Sequence, residues 1–354
     1  MPAHRDAVMV LSFGGPEGPD DVMPFLRNVT KGRNVPDERL AVVASQYAQF
    51  GGRSPINDHN RELVSALESE LGRSGSPLPV YWGNRNWDPY VNDAVQQMAD
   101  DGVTQAWVFA TSIFGSYSGC RQYSEDLERA AKAVGAKAPR LTKLRLFYNH
   151  PGFIESMADR LDTRLSAAGV SPSQLSAGGD TRLLFTAHSL PESMAASCNY
   201  VDQLHEAASL VVAGFGLTSN DFDVVYQSRS GPPTIPWLEP DINDHLADIA
   251  SSTPTKGVVV APIGFVSDHA EVLFDIETQA RATATDLGLD FWRVPTVGNH
   301  PRFVTMISEL IGEQRSGGPR LALGSDGPWP DQCAPGHCQA ATRPHTAGAS
   351  LDAD

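Results

Sequence analysis

The chain has 354 residues, 41% hydrophobic and 19% charged, an ordinary make-up for a folded protein long enough for two packed units. Its 27 Lys and Arg against 42 Asp and Glu leave a net charge of −15, which excludes a nucleic-acid partner because no basic arm offsets it. No apolar stretch approaches the roughly 20 residues that span a bilayer.

The N-terminus, MPAHRDAVMVLSFGG, enters a strand almost at once and lacks the long apolar core and cleavage site of a signal peptide, so a cytoplasmic location is expected. Apolar runs predict strands over 7–13, 79–83, 105–111, 142–147, 182–187, 222–227, 257–263 and 289–294. Helical periodicity fills the intervals, over 59–73, 89–101, 121–134, 152–168, 200–214, 268–287 and 301–314. This alternation gives βαβ units and parallel sheets. Eight strands could close a barrel, but two doubly wound halves suit the chain better, so an α/β fold is expected, divided near YNHP at 148–151 into units 1–149 and 150–316. Residues 317–354 are rich in Gly, Pro and Ala without periodicity and should form a loop-like tail.

The segment LLFTAHSLP, 183–191, ends an apolar strand on His188, because Ser189 and Pro191 cannot comfortably continue a central strand. Ligands of such sheets bind beyond the carboxyl ends of the strands, where His188 stands. A lone histidine is more often buried and bonded to a neighbouring carbonyl, but a second stretch shifts the balance. In VVVAPIGFVSDHAEVLFDIE, 258–277, another strand ends near Gly264 and a helix is predicted from Ser267 or Asp268. That places Asp268, Glu271 and Asp275 on one face. Glu271, flanked by Ala270, Val272, Leu273 and Phe274, needs a partner or a raised pKa. If the two strands are neighbours, imidazole and carboxylate share a cleft and could hold a divalent metal or pass protons; a structural His–Glu hydrogen bond is the competing reading.

The four cysteines are Cys120, Cys198, Cys333 and Cys338, and disulfides are the poor reading in a reducing cytoplasm. Cys333 and Cys338 form C-x4-C in a tail with little core to join, so metal binding leads for that pair. Four thiolates suit zinc or an iron–sulfur cluster, although an ordinary thiol at a helix start is nearly as good a reading of Cys198. The loop RNVTKGRNVPDERL brings Arg27, Lys31 and Arg33, and QFGGRSPIND adds Arg53, Ser54 and Asn57: a cationic loop for ligand carboxylates, or simply a solvated surface. Gly14-Gly15 is followed by no G-x-G-x-x-G, and no Walker lysine appears, so nucleotide binding is set aside.

Together these segments resemble a known family. TAHSLP (186–191), QSRSGPPTIPWLEPD (227–241) and PIGFVSDHAEVLFDIE (262–277) are similar to the signature segments of the ferrochelatases. LSFGGPEGPDDVMPFLRNV and GGRSPIN resemble the actinobacterial-type form, in order from about residue 7 to 314. The resemblance implies two Rossmann-like domains with parallel sheets and a deep central cleft, and insertion of Fe²⁺ into a porphyrin with release of two protons. It implies that His188 is the catalytic base and Glu271 its acidic partner, both facing the metal, with Asp275 on an acidic ridge. The ridge's next position is the uncharged Gln279, so the relay would be shorter or pass through Glu277. Ser54 and Tyr123 match porphyrin-contacting positions. Phe13 stands where some relatives place a tyrosine that can face the metal, so no axial ligand is expected from that side. Lys31 and Arg33 are expected propionate anchors.

Elementary chemistry fits this resemblance. A histidine in an apolar cleft stays neutral and can accept a pyrrole proton, while cleft walls that grip a puckered ring favour the transition state. Coproporphyrin III, with four propionates, is the expected substrate and protoporphyrin IX the near alternative. A porphyrin or haem carrier without turnover, and a cobalt or nickel chelatase, are the further readings. The family type also implies a [2Fe–2S] cluster, with Cys120 near the internal ligand's place, Cys333 and Cys338 in the tail, and Cys198 as the natural fourth ligand. Its role would be structural, and a monomer is expected.

Overall fold

The computed structural model describes residues 5–340 apart from 34, 76, 177, 232 and 233. The eight expected strands are all present: β1 (Asp6–Ser12), β2 (Val80–Asn84), β3 (Gln105–Ala110), β4 (Arg140–Lys143), β5 (Thr181–His188), β6 (Phe222–Gln227), β7 (Gly257–Ala261) and β8 (Asp290–Arg293). They form two four-stranded parallel sheets of order β2-β1-β3-β4 and β6-β5-β7-β8. Val8–Leu11 and Val258–Ala261 are buried throughout, as parallel strands covered on both faces require. The expected fourth strand runs too far: past Lys143, residues 144–148 leave regular strand and thread the core as irregular chain.

The helices are α1 (Pro19–Val29), α2 (Asp37–Ala48), α3 (Ile56–Arg73), α4 (Val91–Asp100), α5 (Gln122–Val134), α6 (Pro151–Ala168), α7 (Pro172–Leu175), α8 (Glu192–Ala195), α9 (Tyr200–Ala213), α10 (Ile242–Ser252), α11 (Ala270–Val272), α12 (Arg281–Asp286) and α13 (Pro301–Ser316). Two segments are wound more widely, as π-helix: Tyr117–Arg121, leading into α5, and Leu273–Ala280, joining α11 to α12. Helices α1, α2 and α10 and the short α7 and α8 go beyond the sequence expectation.

The two halves are built alike and trade their last helices. Each second-strand partner of β3 and β7 is followed by Asn-His-Pro, at 149–151 and 299–301. In both, the histidine caps the helix through its ring nitrogen and proline fills the first turn, opening α6 and α13. Helix α6 packs on α9 and β8 of the second half, whereas α13 returns to α3 and β3 of the first. The junction Tyr148-Asn149-His150 is therefore fully buried rather than an exposed linker, and the largest apolar cluster runs from Val8 and Phe109 through Phe147 to Phe185 and Val259. Arg145 makes a bidentate pair with Glu313 of α13 at 2.7 and 2.8 Å, both side chains 1% exposed.

Beyond Ser316 the described tail is irregular, as composition predicts, but it is strapped to the body. Leu323 donates its N–H to the Asn149 carbonyl at 2.8 Å and the Asn149 side chain donates to Gly327 O at 2.9 Å. Gly324, at φ +78°, lies so close to Glu206 that a Cβ would come within 2.3 Å of its carboxyl oxygen. Residues 341–354 lie outside the described residues.

Candidate active site

The carboxyl ends of the two sheets meet. Ser54, just before α3, accepts the N–H of Ala270 at 3.2 Å, and Ala270 joins an apolar cluster with Phe25 of α1 and Tyr47 of α2. His188 ends β5, the inner strand corresponding to β1 of the first sheet, so Phe13 and Ser189 follow equivalent strand ends.

The His188 Nδ1 lies 2.5 Å from the Ser189 carbonyl. A carbonyl only accepts, so the neutral ring carries its proton on Nδ1 and leaves the Nε2 lone pair free. That nitrogen faces Glu271 Oε2 at 4.0 Å, too long for the structural hydrogen bond that was the competing reading. Solvent reaches the gap: the His188 and Glu271 side chains are 35% and 43% exposed. Burial depresses the imidazole pKa below 6.5, although the Ser189 carbonyl and Asp275 oppose it, and the ring is neutral near pH 7.

Glu271 and Asp275 face the same space. Burial raises Glu271 to about 7. Burial and then the charge of Glu271 raise Asp275 to about 7, against a hydroxyl from Ser228, the nearby His188 and the Gln227 amide, which donates at 3.3 Å. Ser228 holds that bond from a left-handed backbone at φ +63°. Such a pair shares a proton near neutrality.

The predicted helix start needs correction. Asp268 is not on the Glu271 face: His269 caps α11 from extended backbone, and Asp268 pairs instead with Arg293 of β8, whose side chain is 10% exposed. Glu277 is engaged by Arg281 and, at 3.8 Å, by Arg293, while Gln279 is exposed. Sequence reasoning also missed Ser189, Gln227, Ser228, Tyr47 and His269. Burial and the charge of His188 push His269 down to about 4, which keeps a second neutral imidazole beside the first. For Gln227 and Ser228 the signal existed in QSRSGPP; for Tyr47 there was none.

The remaining candidates fall in two groups. Phe13 is 38% exposed and its ring meets Phe25 edge-on at 6.3 Å, so an apolar face lies at the end of β1. Lys31 and Arg33 are exposed between α1 and α2, and neither takes part in an ion pair among the described residues; Arg27 and Arg53 are consumed by Asp37 and Asp58. Ser54 and Tyr123 are buried, at 2% and 4% exposure, with the Arg85 guanidinium 4.5 Å over the Tyr123 ring.

The cysteines gather at the tail. Cys198 Sγ lies 3.4 Å from the Met194 and Ala195 carbonyls, Cys338 is buried and Cys333 exposed. Cys338 N–H donates to Ser197 O at 2.9 Å, His337 Nδ1 lies 3.0 Å from Cys338 Sγ, and Lys143 Nζ lies 3.2 Å from Cys120 Sγ. A cavity of about 360 Å³ is lined by Ser197, Cys198 and Asn199 on the body and Pro335, Gly336 and His337 on the tail. Among the described residues no three His, Cys, Asp or Glu side chains are already set at metal-holding geometry. None of the described helices is long and apolar enough to cross a membrane.

Paired parallel sheets with a neutral imidazole confronting a carboxylate at their joined ends define a chelatase-like α/β protein. Its fold is similar to the sirohydrochlorin chelatase SirB of Bacillus subtilis, with a TM-score of 0.51 at 10% identity over 87% of this chain and 94% of that one. The chain belongs to the ferrochelatase family, whose model, described as Ferrochelatase, matches residues 5–315. It is 47% identical to a ferrochelatase of Rhodopirellula baltica over 97% of this chain and 96% of that protein. It is also 51% identical to the coproporphyrin III ferrochelatase of Frankia alni, over 94% and 86%.

Proposed function

We propose that this enzyme inserts Fe²⁺ into coproporphyrin III, the iron-insertion step of haem synthesis, and releases two protons. The observation that carries the reading is the unprotonated Nε2 of His188 aimed at Glu271 across an open gap of 4.0 Å. His188 takes the pyrrole protons one at a time as the ferrous ion, a substrate, enters between its nitrogen and the Glu271 carboxylate. Glu271 and Asp275, both near neutrality in pKa, accept each proton from the imidazole and pass it outward, so the base is regenerated for the second. Phe13 packs against the opposite ring face, and Lys31 and Arg33 meet propionates. Ser54 and Tyr123 support the cleft wall from behind, because both are buried. Protoporphyrin IX is the alternative substrate.

Anaerobic Fe²⁺ with coproporphyrin III should shift the Soret band with turnover. Binding without turnover would mean a carrier; competition among iron, cobalt and nickel separates the other chelatases.

The thiols would also supply the four soft donors of a [2Fe–2S] cluster, Cys120, Cys198, Cys333 and Cys338, a reading supported by the docking of the Cys338 segment on the turn that carries Cys198. When bound, the cluster would supply cross-links that staple the tail to the body. A brown protein with equimolar iron and sulfide supports this; a colourless protein with one zinc replaces it. We read the chain as units 1–149 and 150–316 with a tail from 317, working as a cytoplasmic monomer.

A further inference from the structure

The geometry points to a second state of the thiol group: Cys198 and Cys338, when no metal holds them, close into a disulfide that fastens the tail to the turn before α9. The partners are selected by position: Cys338 is buried against the turn that carries Cys198, whereas Cys333 is exposed and the Cys120 sulfur has the Lys143 ammonium at 3.2 Å. The backbones are in register beside the pair: Cys338 N–H donates to Ser197 O and Gln339 N–H to the Ser197 hydroxyl, each at 2.9 Å. Across the turn, His337 Nε2 meets Asn199 Oδ1 at 2.9 Å. Cys338 holds this place from a left-handed backbone, φ +55°, which a non-glycine residue adopts at a cost, and it is only 3% exposed.

The oxidant is a peroxide. Each thiol gives up one electron and one proton, an S–S bond forms, the O–O bond breaks, and two waters leave. Cluster and disulfide use the same sulfurs, so one excludes the other. The clasp sits two residues before Tyr200, whose hydroxyl donates to the carbonyl of His188 at 2.9 Å, next to the catalytic strand.

The test uses the full-length protein stripped of metal by a chelator and briefly exposed to hydrogen peroxide. Accessible thiols in the denatured chain should fall from four to two, with non-reducing peptide maps joining Cys198 to Cys338. Cys333→Ser should still cross-link and Cys198→Ser should not. Four remaining thiols, or a cross-link through Cys333 or Cys120, overturns the proposal. The cluster reading stands or falls separately, on iron and sulfide content before stripping.

Discussion

His188 has its tautomer chosen by a carbonyl. Because Ser189 O can only accept, the proton is fixed on Nδ1 and the reactive lone pair has one direction. Replacing His188 with Ala should cut iron insertion by about 100-fold or more while porphyrin still binds, read as a Soret perturbation without turnover. Glu271 gives a stability prediction. Its folded pKa, about 7, lies above the ordinary carboxylate value of 4.5, so the native state favours the protonated acid. Its contribution is present below about pH 4.5 and is lost as pH rises through 7. Glu271→Gln should therefore be more stable than the parent above pH 7, by on the order of 1 kcal/mol once solvent at this 43% exposed side chain is allowed for, with the difference vanishing near pH 4. Thermal melts across that range check the sign. His188 and Glu271 are legible in sequence because each breaks an apolar pattern. Ser189 is not, since its contribution is a backbone oxygen, and Tyr47 reaches Glu271 only because α2 folds over α11.

Among the elements, the strands are the most readable: buried on both faces, they must be continuous apolar runs. Helix α10 carries its own signal in Ile242, Leu246 and Ile249, one buried stripe, whereas α1 contains Pro24 and begins beside glycines that look like loop. The π-winding of Leu273–Ala280 has no such signature, because one extra residue in a turn barely alters an eight-residue apolar pattern. Its entrance is braced by Arg293, which ties β8 to Asp268 and Glu277. Arg293→Ala should cost about 3 kcal/mol by leaving Asp268 unpaired in a partly buried setting, while Glu277 keeps Arg281, and is seen as a lower denaturation midpoint.

Across the whole molecule, the exchange of α6 and α13 makes the halves interdependent. Arg145→Met should destabilise by about 3–5 kcal/mol, as the buried Glu313 loses its partner, and the double replacement Arg145→Met with Glu313→Leu should recover most of it. Unfolding should remain a single transition for both halves, checked by calorimetry. The repeated Asn-His-Pro at 149–151 and 299–301 marks this symmetry in the sequence, yet it cannot say which half each helix joins. The docking of Cys338 beside Ser197 is equally hidden, since it depends on where an irregular tail lies down.

The buried junction at Tyr148–His150 has a mechanical meaning. Jaws that close on a hinge give way when something resists them; jaws cut from one close-packed block do not. In the proposed reaction a flat macrocycle pushed between such walls would do the yielding itself, tilting out of plane the pyrrole whose nitrogen His188 would reach.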